Sequence, residues 1–179
     1  MNTNDEDSFE GDSASLASEA ATTTMRRVLD ALKMEYDYDA EDDIISLRVQ
    51  LETFEAAMFL YGENDDMATI MIRLPVRAPE SVRPAVGEFL HRLNYAGRRK
   101  FWEMDYNDGE IRLRATTDTI DAPLSDTMFQ AMSRAVLEIA DRSFPYLNAV
   151  ITRGMKPDFA ADQAIAALSA DSSEEDPPE

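Results

Sequence analysis

Residues Lys100 to Thr119, KFWEMDYNDGEIRLRATTDT, constrain this chain more than any other stretch. Asp108-Gly109 is a strong two-residue turn signal, because a type I′ turn needs positive φ at both central positions. A turn there sets Asn107 opposite Glu110. Trp102 then faces Ala115, Met104 faces Leu113 and Tyr106 faces Ile111, all on one side. On the other side Phe101 faces Thr116, Glu103 faces Arg114 and Asp105 faces Arg112. One register yields an apolar face and two opposite-charge pairs, and a slip by one residue would destroy both. Such a pattern specifies a fold and no chemistry; composition and spacing alone do not say what the protein does.

The other segments fit the same architecture. Thr24 is the expected N-cap of a first helix running to about Glu35, with Met25, Val28, Leu29 and Leu32 on one stripe. An acidic connection, EYDYDAEDD, has room for a short strand at its start. Ile45, Leu47, Val49 and Leu51 alternate with polar residues as in a half-buried strand. Phe54 to Tyr61 and Met67 to Val76 read as two more strands, with Phe54, Ala56, Met58 and Leu60, then Ala68, Ile70, Ile72 and Leu74, turned inward. Pairing Tyr61 with Met67 would set Glu55 against Arg73.

A middle helix starts near Ser81, so that Pro84 falls in its first turn, and Gly97 ends it. Ser125 caps a third helix, in which Pro145 predicts a kink or break. The order is α-β-β-β-α-β-β-α: an α+β class with an antiparallel sheet and helices on one face.

Charge excludes several functions. The chain carries 36 acidic against 17 basic residues, a formal net charge of -19, which opposes nucleic-acid or anionic-membrane binding through the bulk field. With no cysteine, disulfides, thiolate catalysis and Cys-based zinc sites are ruled out. No apolar run is long enough to span a bilayer, and the acidic N-terminus lacks the apolar core of a signal peptide. A cytoplasmic location is expected. Residues 1–20 and 170–179 are expected to be disordered, being acidic and poor in large apolar groups.

Several short patterns point to a family. Leu93-Asn94 closes the middle helix; Phe101 and Asp105 are followed by Gly109; Asp141, Pro145 and Leu147 form D-x-x-x-P-x-L, with Gly154 downstream. With the element order, these resemble the YbjN family of bacterial proteins, from about Met25 to Gly154. The resemblance implies the fold of type III secretion chaperones, no enzymatic activity, and a role in regulating sensory transduction. The expected organisation is an acidic arm over 1–20, a YbjN-like domain over 22–155, a short, loosely packed Ala-rich helix over 157–169 and an acidic tail over 170–179.

Candidate sites are few. His91 has no nucleophile or metal partner at a useful spacing and reads as an exposed helix residue. Asp37, Asp39, Glu41, Asp42 and Asp43 suggest calcium, but the Gly and Glu that an EF-hand loop needs at its sixth and twelfth positions are Asp42 and Arg48. Glu103 and Asp105 are expected to be neutralised by cross-strand arginines. No catalytic residue, metal or cofactor is assigned.

Arg98, Arg99 and Lys100 suit the negative end of the middle helix, or could dock an acidic partner or the chain's own arm. On the outer sheet face, Phe59, Tyr61, Met71 and Phe101, with Ile44 at the edge, place large apolar groups where solvent is expected, which marks either an interface or a face covered by the chain's own C-terminal helix or a tail. The reading is therefore a non-enzymatic protein-binding module, chaperone-like or regulatory, that forms a homodimer and binds a protein partner, with no nucleic acid and no membrane. The alternative is a small-molecule-binding or enzymatic domain using acidic residues near the sheet.

Overall fold

The computed structural model describes residues 20–63, 66–97, 100–120 and 122–169. The expected disordered arms over 1–20 and 170–179 lie outside these residues, apart from Ala20. The order is α1 (Ala21–Ala31), β1 (Asp37–Asp39), β2 (Ile44–Gln50), β3 (Glu55–Glu63), β4 (Met67–Arg77), a 3₁₀ turn (Glu80–Val82), α2 (Arg83–Ala96), β5 (Lys100–Met104), β6 (Glu110–Asp118), α3 (Asp126–Arg153) and α4 (Pro157–Ser169). The strands form one antiparallel sheet ordered β1-β2-β3-β4-β6-β5. The α+β class expected from the sequence is the one observed.

Period-two alternation decides which way the sheet faces. Ile45, Leu47, Met58, Leu60, Ile70, Ile72, Trp102, Ile111 and Leu113 are buried on one side. There they form a single core with Met25 and Leu29 of α1, Phe89 and Leu90 of α2 and Val136 and Leu147 of α3. Each such side chain contributes roughly 1.5–3 kcal/mol by leaving water, so the facing of every strand is strongly determined.

Register within that facing differs from expectation. In the β5–β6 hairpin Trp102 pairs with Leu113, Met104 with Ile111, Glu103 with Arg112 and Phe101 with Arg114. The shift is by two residues, which preserves faces and changes partners. Its cause is a longer turn: the Asp105 N–H bonds the Glu110 carbonyl at 2.9 Å and the Gly109 N–H bonds the Asp105 carbonyl at 2.7 Å. Tyr106 therefore leaves the strand for the turn, where its hydroxyl lies over Gly87 of α2. Asp105 does not pair with Arg112; its carboxylate accepts from the Asn107 N–H at 2.8 Å. The β3–β4 hairpin also shifts by two residues, here through a shorter turn that carries the ladder on to Glu63 and Met67, pairing Tyr61 with Thr69 and Ala57 with Arg73. Glu55 consequently bonds Arg48 across β2–β3 at 2.9 Å and not Arg73.

Helix ends follow local chemistry with two exceptions. Pro84 sits in the first turn of α2, and the Ser125 hydroxyl caps α3 by accepting from the Met128 N–H. Thr24 is not a cap: α1 begins earlier, after Ala20, and Thr24 is buried within it. Pro145 does not break α3, which runs on to Arg153. A proline deprives the carbonyl four residues earlier of its helical donor. That carbonyl belongs to Asp141 and lies 3.3 Å from the Thr53 hydroxyl, whose single proton goes to the nearer Asp141 carboxylate, at 2.5 Å. The Asp141 carboxylate also accepts from the backbone N–H groups of Glu52 and Thr53, at 3.3 and 3.0 Å. The β2–β3 turn is thereby fastened to α3, with Phe54 and Phe144 stacked beside it at 4.3 Å between ring centres.

The Ala-rich helix α4 packs closely rather than loosely. Ala160, Ala161 and Ala164 are fully buried, since side chains this small let α4 approach α2 and α3. At the end of α2, Asn94 accepts from the Trp102 N–H at 2.7 Å and donates to the Trp102 carbonyl at 2.9 Å.

Candidate binding face

The helices pack against one side of the sheet, and the other side carries the residues of interest. Strand register arranges that outer face in transverse rows. One row runs Asp37, Ser46, Phe59, Met71, Arg114, Phe101 from β1 to β5. Beside it on one flank lie Ile44, Tyr61, Thr69 and Thr116, and on the other Arg48, Ala57, Arg73, Arg112 and Glu103. Phe59 and Met71 are thus directly opposite one another; the expected diagonal placement is corrected by the two-residue shift. Tyr61 lies two residues along β3 from Phe59. Phe101, 49% exposed, falls in the same row but is separated from Met71 by Arg114. Ile44, Phe59, Tyr61 and Met71 are all half-buried.

Charges frame this stripe. The Arg114 guanidinium bonds the Glu103 carboxylate at 2.6 Å and lies 3.5 Å from Glu63. Glu63 also accepts from the hydroxyl of Thr69 at 3.3 Å, which is how Thr69 is buried on an outward-facing position. Burial, and then the nearby charge of Glu63, raises the Tyr61 phenol above its usual range. Arg48 pairs with Glu55 and Arg112 with Glu110. Arg73 differs: its guanidinium lies over the Phe59 ring at 5.0 Å, and no carboxylate forms an ion pair with it among the described residues. Arg73 stands directly opposite Arg112, a like-charge juxtaposition that costs stability unless an anion screens it. Between β1 and β4 the face dips into an open groove of about 880 Å³, lined by Tyr36, Ser46, Ala57 and Phe59, the basic Arg48 and Arg73 and the acidic Glu35, Asp37 and Glu55.

The other candidates are dispersed. Arg98 and Arg99 lie outside the described residues. Lys100 pairs with Ala115 on the helix side, away from Phe101, and burial lowers its ammonium below the usual lysine range while Glu138 partly offsets the shift. His91 is exposed on α2. The acidic connection is held by local bonds: Asp39 accepts from the N–H groups of Glu41 and Asp42, and Asp43 from the hydroxyls of Thr22 and Tyr38. No group of three or more potential metal ligands converges among the described residues. Sequence reasoning missed the arginine row. The same alternation that turned Phe59 outward also turns out Arg48, Arg73, Arg112 and Arg114, so the signal was present.

Among the described residues, an antiparallel sheet with its helices on one face defines an α+β class with the other sheet surface open. The family follows from sequence: the chain belongs to the YbjN family, described as "Putative bacterial sensory transduction regulator", which it matches over residues 22–149. No curated protein matches it. Among solved structures it is similar to YbjN of E. coli, described as "a putative transcription regulator", with TM-score 0.51 and 14% identity over 65% of this chain and 82% of that one. It also aligns with the type III secretion chaperone SycH of Yersinia pestis, solved in complex with a stable fragment of YscM2. That alignment has TM-score 0.47 and 12% identity over 67% of this chain and 96% of the other. No helix among the described residues is long and apolar enough to cross a membrane.

Proposed function

We propose that this protein is a non-enzymatic, regulatory binding module of the cytoplasm. Its outer sheet face contacts protein, beginning with a second copy of the chain. The observation that carries this reading is the direct opposition of Phe59 and Met71, two half-exposed apolar groups on a face the helices leave open. Contiguous apolar surface of this kind is a mark of interaction sites. Membership in a family described as regulatory supports the non-enzymatic part.

The test is Phe59→Lys combined with Met71→Glu, read by urea unfolding and by sedimentation. The new charges stand directly opposite and attract, so stability should change by no more than about 0.5 kcal/mol. Self-association should be lost, because such a change at an interface core costs ~2 kcal/mol or more of binding. A variant that unfolds would make these side chains a second core layer. A variant that folds and associates as before would place the contact elsewhere.

A further inference from the structure

The groove on the outer face is complementary to itself. Its centre lies between β2 and β3, where Ser46 stands opposite Phe59 and Arg48 opposite Ala57. Each pair sets a small side chain beside a large one, and the large one comes from β3 in the first and from β2 in the second. The flanking strands differ in charge. On β4 is Arg73, which has no carboxylate partner among the described residues. On the far side Asp37 opens β1, and Glu35, two residues before it, lines the same groove. Neither acid forms an ion pair among the described residues, whereas Arg48 and Glu55 satisfy one another.

A second copy laid face to face turns these inequalities into matches. Consider a two-fold axis running along the strands between β2 and β3. It sets β2 over β3 of the other copy and β1 over β4, with no displacement along the strands. Phe59 of each copy then meets the small Ser46 of the other, and Arg48 meets Ala57. Glu35 comes opposite Arg73, and the two-fold forms this contact twice. Arg73 is one and a half strands from the axis, about 7 Å. Strands of packed sheets cross by about 30°, which at that radius moves Arg73 by about 4 Å. Glu35 and Asp37 are spaced ~7 Å apart, so a carboxylate stays within reach of the long arginine side chain.

We infer that the outer faces of two copies pack together about this axis, with Arg73 of each held by Glu35 and Asp37 of the other. The inference rests on the self-association proposed above and assigns each unpaired charge its partner.

Charge exchange on the full chain, read by sedimentation, tests it. One chain carries Arg73→Glu and a second carries Glu35→Arg with Asp37→Arg. Each variant alone sets like charges across the axis, and self-association should weaken about tenfold or more. Mixed one to one, the two chains have opposite charges at both contacts and should pair with about the parent's strength. Folding is read separately by urea. Arg73 faces Arg112, so Arg73→Glu replaces a like-charge pair with an attractive one and should not lower the midpoint. Glu35 and Asp37 are exposed; should Asp37→Arg disturb β1, Glu35→Arg alone gives the same test. Folded variants that each associate as the parent does, or that stay apart when mixed, would overturn the inference. Loss of association in the Phe59 and Met71 double variant would in that case still support the face as the contact. A parent chain that sediments as a monomer at every concentration would overturn the inference as well, and would leave the face to a different protein.

Discussion

Single residues fix the turns of this molecule, and two glycines show how differently a positive φ can be enforced. Gly154 ends α3 at φ 63, with nothing within 4 Å of where a Cβ would sit. Gly109 closes the β5–β6 turn at φ 77, and a Cβ there would lie 2.1 Å from the carbonyl oxygen of Ala78. That approach is used: the Ala78 N–H bonds the Gly109 carbonyl at 2.8 Å, joining the turn to the end of β4. Gly154→Ala should therefore cost only the left-handed backbone penalty, about 1–2 kcal/mol. Gly109→Ala adds a backbone clash and should cost about 3 kcal/mol or more. Urea midpoints of the two variants, compared at equal m-value, check the difference; equal losses would mean that Ala78 yields without cost.

At the scale of elements, the informative joint is the one between the β2–β3 turn and α3. Thr53→Val removes the hydroxyl that donates to the Asp141 carboxylate at 2.5 Å and should cost about 1 kcal/mol. In a Pro145→Ala background the cost should be the same within about 0.5 kcal/mol, because the proton does not go to the carbonyl that the proline leaves without a helical donor. Urea unfolding of the four chains checks this, and a cost that shrinks in the Pro145→Ala background would assign the hydroxyl to the carbonyl instead. This joint also shows where the sequence stops being readable. Asp141, Pro145 and Leu147 stand out as a pattern, yet their partner Thr53 is 88 residues away from Asp141 and nothing local points to it. Facing was legible throughout, because a one-residue slip exposes a whole apolar set. Register was not, because a slip of two keeps that set buried and alters only partners of modest worth. Both hairpins moved by that amount. The salt bridge between Glu103 and Arg114 nevertheless forms, now diagonally. On the candidate face, Phe59, Tyr61, Met71 and Phe101 were legible as outward-facing; that Arg114 divides the row and Arg73 covers Phe59 depended on register and so was not.

For the whole molecule, the division of the sheet into one face that holds the fold and one that the described helices leave open separates stability from any contact the outer face makes. Substitutions at Phe59 and Met71 can change contacts without touching Ile70, Ile72 or Leu113, which are fully buried. The two lateral margins of the sheet are also unequal. At one, β1 is three residues long and exposed. At the other, Asn94 occupies both backbone groups of Trp102 in the middle of β5. Strand-to-strand pairing between molecules is therefore opposed at both margins, at β1 by its shortness and the charges of Asp37 and Asp39 and at β5 by Asn94. Asn94→Ala should open one margin and leave the other closed, so that growth stops at a pair. Light scattering below the unfolding temperature should then report concentration-dependent pairing, and a variant that stays as small as the parent would show that α2 alone suffices to close the margin.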